Sequence, residues 1–239
     1  MTLIPVPPVF VGQGKGEEAL VPFWKLLGNR KKKIGAVAID MGAAFQKAVR
    51  DNIPQAVMVF DHFHVIKLMN DRLDQLRRRV YPNATPEQKE AIKFGKWLIP
   101  KNPENLNSLR HESEMPDRMM KLNTPLTKGY ILKESQKLVW QQDSLAEGKA
   151  CLDDWIAQAN SSMVGELMMM MARTLTRFSE GILNYFRRPI TTACLEGLNT
   201  NTKIKAMIRR SYGFRNMGNF MRLILAIKEF NPVRLLAAG

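Results

Sequence analysis

The chain has 239 residues, of which 45% are hydrophobic and 24% are charged, a composition typical of a folded globular protein. Lysine and arginine outnumber aspartate and glutamate by 36 to 22, and the net charge of +14 favours a polyanionic partner such as nucleic acid over a solvated surface that binds nothing. No apolar run approaches the roughly 18 residues of a membrane span, and two cysteines with three histidines give no zinc-ligand spacing. These features predict a cytoplasmic protein that has no membrane contact.

Two short apolar runs, residues 34–39 and 56–60, are predicted to be buried strands, and each is followed by an aspartate. Runs of this length do not by themselves distinguish a strand from a buried segment of helix. The intervening residues 43–49 fit two turns of helix, which gives a strand–helix–strand unit. In open α/β sheets, ligands bind beyond the carboxyl ends of the strands. Asp40 and Asp61 are therefore candidate functional residues, although an aspartate in this position commonly caps the following helix instead.

The chain before this unit is predicted to contain a further strand at residues 9–11 and an amphipathic helix at residues 19–27. The chain after it is predicted to be almost wholly helical. Its first helix carries an apolar stripe that begins at Phe63 and continues at positions 66, 69, 73, 76 and 80. The sequence therefore predicts an α/β fold that is mostly helical.

Local signals set the boundaries of several later helices. Thr85 and Pro86 fit an N-cap followed by a first-turn proline, and Ser144 with Glu147 fits a capping box. The run of four methionines at 168–171 is predicted to pack in a core, with a surface for a partner as the alternative.

The order of these features resembles one protein family. A strand that ends in Asp40, a helix, and a strand that ends in Asp61-x-x-His64 follow one another along the chain. Near the C-terminus stand the segments Thr192-Ala-Cys-Leu-Glu196-Gly-Leu-Asn199, Ile204-Lys205, Ile208-Arg-Arg210 and Tyr212-Gly-Phe-Arg215-Asn216. The whole pattern is similar to the DDE transposases of bacterial insertion sequences, in the ISL-type group with an Asp/Cys-x-x-His signature.

The resemblance implies an RNase H-like core in which three carboxylates hold two Mg²⁺ (or Mn²⁺) ions. Such a pair of ions, roughly 3.5–4 Å apart, activates the attacking oxygen and stabilises the leaving one during DNA cleavage and strand transfer. By resemblance, Asp40 and Glu196 are the second and third carboxylates, and both are catalytic metal ligands. The alternative for Glu196 is a first-turn glutamate that favours the helix dipole. Asp61 and His64 would support the site or contact DNA, or else cap a helix and lie buried in a hydrogen bond.

The first carboxylate of the family has no counterpart in this sequence. Asp40 is the earliest aspartate, and the two glutamates before it open a helix. We therefore expect the C-terminal part of a transposase, truncated before its first ligand, with weak metal binding and little or no activity. The predicted division is an N-terminal part of the RNase H-like core at 1–67, a helical insertion at 68–187, and C-terminal helices at 188–239 that return to the core.

The C-terminal region is also the predicted DNA-binding region. From Gly181 onward it holds ten Lys or Arg against two Glu, a net charge of +8. The expected partners are the DNA ends of an insertion sequence and other transposase subunits. The residues predicted to contact DNA are Asn199, Lys203, Lys205, Arg209, Arg210 and Arg215. The alternatives are a noncatalytic DNA-binding protein or regulator derived from a transposase, and a helical scaffold that uses the Met-rich helix.

Overall fold

The computed structural model describes most of the chain as helix, with a single two-stranded parallel sheet in the described part. The predicted α/β class with predominant helix is confirmed. The residues that the structure describes are 9–14, 16–101, 125–161, 165–192 and 216–225.

The regular elements are short strands and helices of about two to five turns. The strands are β1 (Ala36–Ile39) and β2 (Val57–Phe60). The α-helices are α1 (Val21–Leu27), α2 (Ala43–Asn52), α3 (His62–Val80), α4 (Pro86–Leu98), α5 (Pro125–Gln136), α6 (Leu145–Ala159), α7 (Glu166–Leu183) and α8 (Met217–Leu225). Short 3-10 helices occupy Glu17–Leu20, Gly28–Lys33, Lys137–Gln141 and Asn184–Phe186.

The chain forms two compact units. The first unit consists of Met1–Asp61 together with Ile190–Gly239, and the second unit consists of His62–Pro189. The boundaries between the units therefore fall directly after Asp61 and directly before Ile190.

The first unit is built on the parallel pair β1 and β2, which are aligned from Ala36 opposite Val57 to Ile39 opposite Phe60. Their apolar residues, with those of α1 and α2, form one core whose buried members are Trp24, Ala48, Val49 and Ile53. This burial explains why two four-residue strands are stable, since an isolated strand pair in water is only marginally stable.

Two predictions for the first unit are wrong: the strand at residues 9–11 and the end of α2. Residues 9–11 form no strand: Val9 is 70% exposed, and Phe10 packs its ring on Phe23 at a centroid distance of 5.4 Å. An extended segment counts as a strand only when a neighbour completes its hydrogen bonds, and the described part of the chain provides none here. Helix α2 continues past residue 49 to Asn52, and Pro54 prevents its further extension.

Caps define the helices of the second unit as the sequence predicts. Thr85 accepts a hydrogen bond from Gln88 N–H, and the Gln88 side chain accepts one from Thr85 N–H, which completes a capping box at the start of α4. At the start of α6, Ser144 Oγ accepts a hydrogen bond from Glu147 N–H at 3.2 Å, which is the N-cap half of the predicted capping box, and the Ser144 hydroxyl donates to the Glu147 carboxylate at 2.9 Å. Each cap satisfies an amide that the first turn of a helix leaves without an intrahelical partner.

The apolar face of α3 matches the predicted stripe at Met69, Leu73 and Leu76 and departs from it near the start of the helix. Its buried residues are Val65, Met69, Leu73 and Leu76, whereas Phe63 is 40% exposed. Helix α5 packs closely on this face at Gly129, where an added Cβ would lie 2.8 Å from Leu73 Cδ1. This close approach covers α3 at Leu73 and Leu76.

Methionines in α7 pack in the core of the second unit. Met168 and Met171 are fully buried, while the two methionines between them are half-buried. The core-packing interpretation is therefore correct for the outer pair. Within the described residues, no helix is both long enough and apolar enough to cross a membrane.

Candidate active site at the carboxyl edge of the sheet

The two strand-end aspartates are neighbours at one edge of the sheet. Ile39 and Phe60 are partners in the strand register, so Asp40 and Asp61 follow at adjacent positions. Asp61 N–H donates to the Ile39 carbonyl at 3.1 Å, which extends the pairing one residue beyond the strands. Neighbouring strands lie about 4.7–4.9 Å apart. The structure thus brings these two candidate residues together, at the edge where open α/β sheets bind ligands.

The loop that carries Asp40 is held in place by the helix that follows it. Asp40 Oδ1 accepts a hydrogen bond from Gly42 N–H at 2.8 Å. The buried side chain of Gln46 donates to the Met41 carbonyl at 2.8 Å, and Gln46 N–H donates to the Gly42 carbonyl at 3.1 Å. The Asp40 carboxylate is half-buried and has a defined orientation, which is what a metal ligand requires.

Gly42 permits this arrangement because it lacks a Cβ. A Cβ at position 42 would lie 2.8 Å from Asp40 Oδ1, closer than side chains normally approach. The residue is the N-cap of α2, with φ −66° and ψ 126°. Its small size, rather than an unusual backbone conformation, is therefore the property that matters here.

Asp61 is buried and is bonded to a distant part of the first unit. The exposed fraction of Asp61 is 1%. Thr191 Oγ1 donates to Oδ1 at 2.8 Å, and Thr192 N–H donates to Oδ2 at 3.3 Å. Thr192 Oγ1 makes a second, short hydrogen bond with Oδ2. Both carboxylate oxygens therefore accept hydrogen bonds from residues that lie about 130 positions further along the chain.

His64 lies on the first turn of α3 and is half-buried, with its ring edge-on to that of Phe63 at 5.8 Å. It belongs to the second unit, whereas Asp61 ends the first segment of the first unit. The remaining predicted site residues lie outside the described residues, and they are Glu196, Asn199, Lys203, Lys205, Arg209, Arg210 and Arg215.

The described residues fit part of a divalent metal site. Mg²⁺ prefers hard oxygen ligands, and Asp40 supplies an oriented carboxylate at the correct edge. Asp61 is less suited to the same role because both of its oxygens accept hydrogen bonds from threonines. In the described part of the chain, no three His, Cys, Asp or Glu side chains are grouped so that they could hold a metal ion. A complete site needs a ligand from elsewhere in the chain, and the resemblance identifies Glu196.

Thr191 and Thr192 are functional candidates that the sequence did not reveal as such. In the sequence, Thr192 only opens the segment that leads to Glu196, and Thr191 precedes it without a role of its own. A pair of adjacent hydroxyl residues shortly before Glu196 was the available signal, but no local rule connects such a pair with Asp61.

Comparisons with known proteins agree with the resemblance. A family model described as a transposase, DDE_Tnp_ISL3, matches residues 4–224. The chain is 31% identical to the transposase for insertion sequence element IS1001 of Bordetella parapertussis over 222 aligned positions, which cover 91% of this chain and 53% of that protein. It is 27% identical to the transposase for insertion sequence element IS1557 of Mycobacterium tuberculosis over 232 aligned positions, which cover 87% of this chain and 51% of that protein.

The chain spans about half the length of the curated relatives that it matches. No solved structure matches it. The family model nevertheless extends over most of the chain, from before the first described residue to residue 224, within α8. The sequence motifs, the carboxyl-edge aspartates and this match lead to one conclusion: the chain belongs to the ISL3-type family of DDE transposases.

Proposed function

We propose that this chain contributes two carboxylates, Asp40 and Glu196, to a DDE transposase active site that cleaves DNA and transfers strands at the ends of an insertion sequence. The observation that supports the proposal most directly is the set of hydrogen bonds from Thr191 and Thr192 to Asp61. They attach the residues just before Glu196 to the strand beside the one that ends in Asp40.

Covalent geometry limits the distance between the two proposed ligands. Glu196 follows Thr192 by four residues, and an extended chain advances at most about 3.3–3.6 Å per residue. The Cα of residue 196 is therefore within about 14 Å of the Cα of Thr192. Thr192 is bonded to Asp61, and Asp61 is adjacent to Asp40 across the sheet. Chain length therefore allows Glu196 to reach Asp40, although the two residues are far apart in sequence.

The chemistry needs negatively charged oxygens at this edge and positive charge beside it. When a divalent ion is bound, it acts as a Lewis acid on the DNA phosphate. Asp40, oriented by Gly42 N–H, and Glu196 would hold that ion. The basic residues after Glu196, from Lys203 to Arg215, would neutralise DNA phosphates and keep the backbone against the edge.

Paramagnetic Mn²⁺ tests the metal site directly, because it broadens NMR signals only near the bound ion. We expect Mn²⁺ to broaden the amide signals of residues 40–42 and those next to position 196. Asp40→Asn and Glu196→Gln should each weaken this effect. Asp51→Asn is the matched control, because Asp51 is an exposed carboxylate on α2 that pairs with Lys47 at 3.2 Å. Broadening that is unchanged in Asp40→Asn, or that depends on Asp51, would contradict the proposal.

Salt dependence tests the DNA-binding part. Arg209→Ala with Arg210→Ala should weaken binding to duplex DNA of any sequence and lower the log–log salt slope by about 1.8, at about 0.9 per phosphate contact. A control with the same change in charge replaces Lys67 and Lys149, which are exposed and pair with acidic residues one turn away on their own helices. An unchanged slope in the arginine variant would exclude these residues. DNA binding without any Mn²⁺ site would favour the noncatalytic alternative.

A further inference from the structure

The buried carboxylate of Asp61 is a polar feature of the first unit to which the proposed chemistry gives no direct role. A residue that is 1% exposed and carries a carboxylate is costly to bury unless its oxygens are satisfied by hydrogen bonds. Here both oxygens accept hydrogen bonds from one pair of adjacent residues, Thr191 and Thr192. The fold therefore uses a charged group where an apolar contact would have sufficed for packing alone.

The geometry of the contact fixes position as well as proximity. On one side, Asp61 is anchored to the sheet by its own N–H, which donates to the Ile39 carbonyl. On the other side, Thr192 presents both its backbone N–H and its hydroxyl to Oδ2, while Thr191 binds Oδ1. Three donors on two oxygens restrict the rotation as well as the location of this peptide segment.

We infer that Asp61 is a positioning residue: its carboxylate, through Thr191 and Thr192, determines where the chain that continues to Glu196 lies relative to Asp40. The inference rests on the proposed function, since it gives Asp61 a purpose only if Glu196 has to meet Asp40. In this role Asp61 acts through the two threonines and not as a metal ligand.

Isosteric variants of the threonines test this inference without a charge change in the core. Thr191→Val combined with Thr192→Val removes both hydroxyl donors and preserves side-chain shape. Thr191→Ser combined with Thr192→Ser keeps the donors and is the matched control. The single change Thr191→Val, which leaves both Thr192 hydrogen bonds in place, provides a milder variant if the double valine chain does not fold.

Two measurements on the full 239-residue chain separate the anchor from the metal site. Amide hydrogen exchange of residues 190–196 reports on the anchor with no metal present. Cleavage of the backbone by Fe²⁺ with ascorbate and hydrogen peroxide reports which segments lie beside a bound ion, because the radicals act near the iron. Fe²⁺ alone is the probe, so no DNA or catalytic turnover is required.

We expect the amide hydrogen of residue 192 to exchange about tenfold faster in the double valine variant than in the parent chain, because the hydroxyl hydrogen bonds to a charged group are lost. We expect Fe²⁺ to cut the parent chain near residues 40 and 196. In the double valine variant, the yield of cleavage near residue 40 should be unchanged, and the yield near residue 196 should be about tenfold lower. The double serine variant should behave as the parent in both measurements.

The outcomes that overturn the inference differ from those that overturn the proposed function. Parent-like exchange in the double valine variant, or an undiminished cut near residue 196, shows that the threonine hydrogen bonds do not position the segment. A parent chain with no cut near Asp40 refutes the metal site itself, and the exchange result then decides the anchor on its own. Equal losses in the valine and serine variants would show that the hydroxyl groups are not responsible, and would also overturn the inference.

Discussion

Gly42→Ala should displace the Asp40 carboxylate while leaving the fold intact. The new Cβ would lie 2.8 Å from Asp40 Oδ1, whereas ordinary contacts begin at 3.4 Å, so the carboxylate must move by 3.4 − 2.8 = 0.6 Å. The other nearby side-chain atom, Phe45 Cδ2, is at 3.7 Å and need not move. The backbone at Gly42, with φ −66° and ψ 126°, is one that alanine adopts freely.

The expected magnitudes separate stability from metal binding. Alanine in place of glycine favours the folded state by about 0.4–1 kcal/mol through the unfolded chain. Weakening the hydrogen bond from residue 42 N–H to Asp40 costs about 0.5–1.5 kcal/mol. The free energy of unfolding should therefore change by no more than about 1 kcal/mol. Mg²⁺ demands ligand distances close to 2.0–2.1 Å, so the displaced carboxylate should weaken metal binding at least about tenfold, or about 1.4 kcal/mol.

The assay combines a Mn²⁺ titration, followed by NMR line broadening, with a thermal melt. Gly35→Ala is the control, because it lies just before β1, at the opposite end from Asp40, and its Cβ would meet no atom within 4 Å. The control should match the parent in both measurements. If Gly42→Ala binds Mn²⁺ as tightly as the parent, Asp40 is not the ligand that this geometry indicates. A loss of stability well above 1 kcal/mol would contradict the packing argument instead.

Two further predictions concern the second unit. Gly148→Ala should lower the free energy of unfolding by about 1–3 kcal/mol in a denaturant titration, because its Cβ would lie 2.3 Å from the Phe186 ring. Gly95→Ala is the control and should cause no such loss, because the nearest atom to its Cβ would be at 3.6 Å. Equal effects of the two changes would refute the predicted clash. Burial, and then the charge of Glu134, raise the pKa of Tyr130 from 10.0 to about 12. The folded protein therefore keeps this proton longer than the unfolded chain, and stability should fall by up to about 2.7 kcal/mol as the pH rises from about 10 to about 12. Denaturant titrations across this range should show a smaller fall for Tyr130→Phe, and an identical fall would contradict the assignment.

The elements that sequence alone predicted correctly are those with local causes. The strands β1 and β2 follow from short apolar runs that end at an aspartate, and the start of α4 follows from Thr85 and its proline. The resemblance to DDE transposases, carried by motifs at fixed spacing, is confirmed by the family match. Such signals depend on a few neighbouring residues and survive without knowledge of the rest of the fold.

The features that sequence alone missed depend on distant partners. Phe63 and Val65 are both apolar, and only the second one is buried, which depends on the elements that pack against α3 and not on residue type. The hydrogen bond from Thr191 to Asp61 joins residues 130 positions apart, and neither residue type predicts the other. The RNase H-like core and the roles of Glu196 and the basic residues after it stay predictions from the resemblance.

The central claim is that Asp40 and Glu196 meet at one metal site on the carboxyl edge of the sheet. A crystal structure of the chain grown with Mn²⁺, in which anomalous scattering locates the ion, tests it most directly. The account predicts one ion bound by carboxylate oxygens of both residues, at about the 2.0–2.1 Å that Mg²⁺ would show, with Asp61 still bonded to Thr191 and Thr192. An ion bound elsewhere, or Asp40 and Glu196 on opposite sides of the first unit, would contradict it.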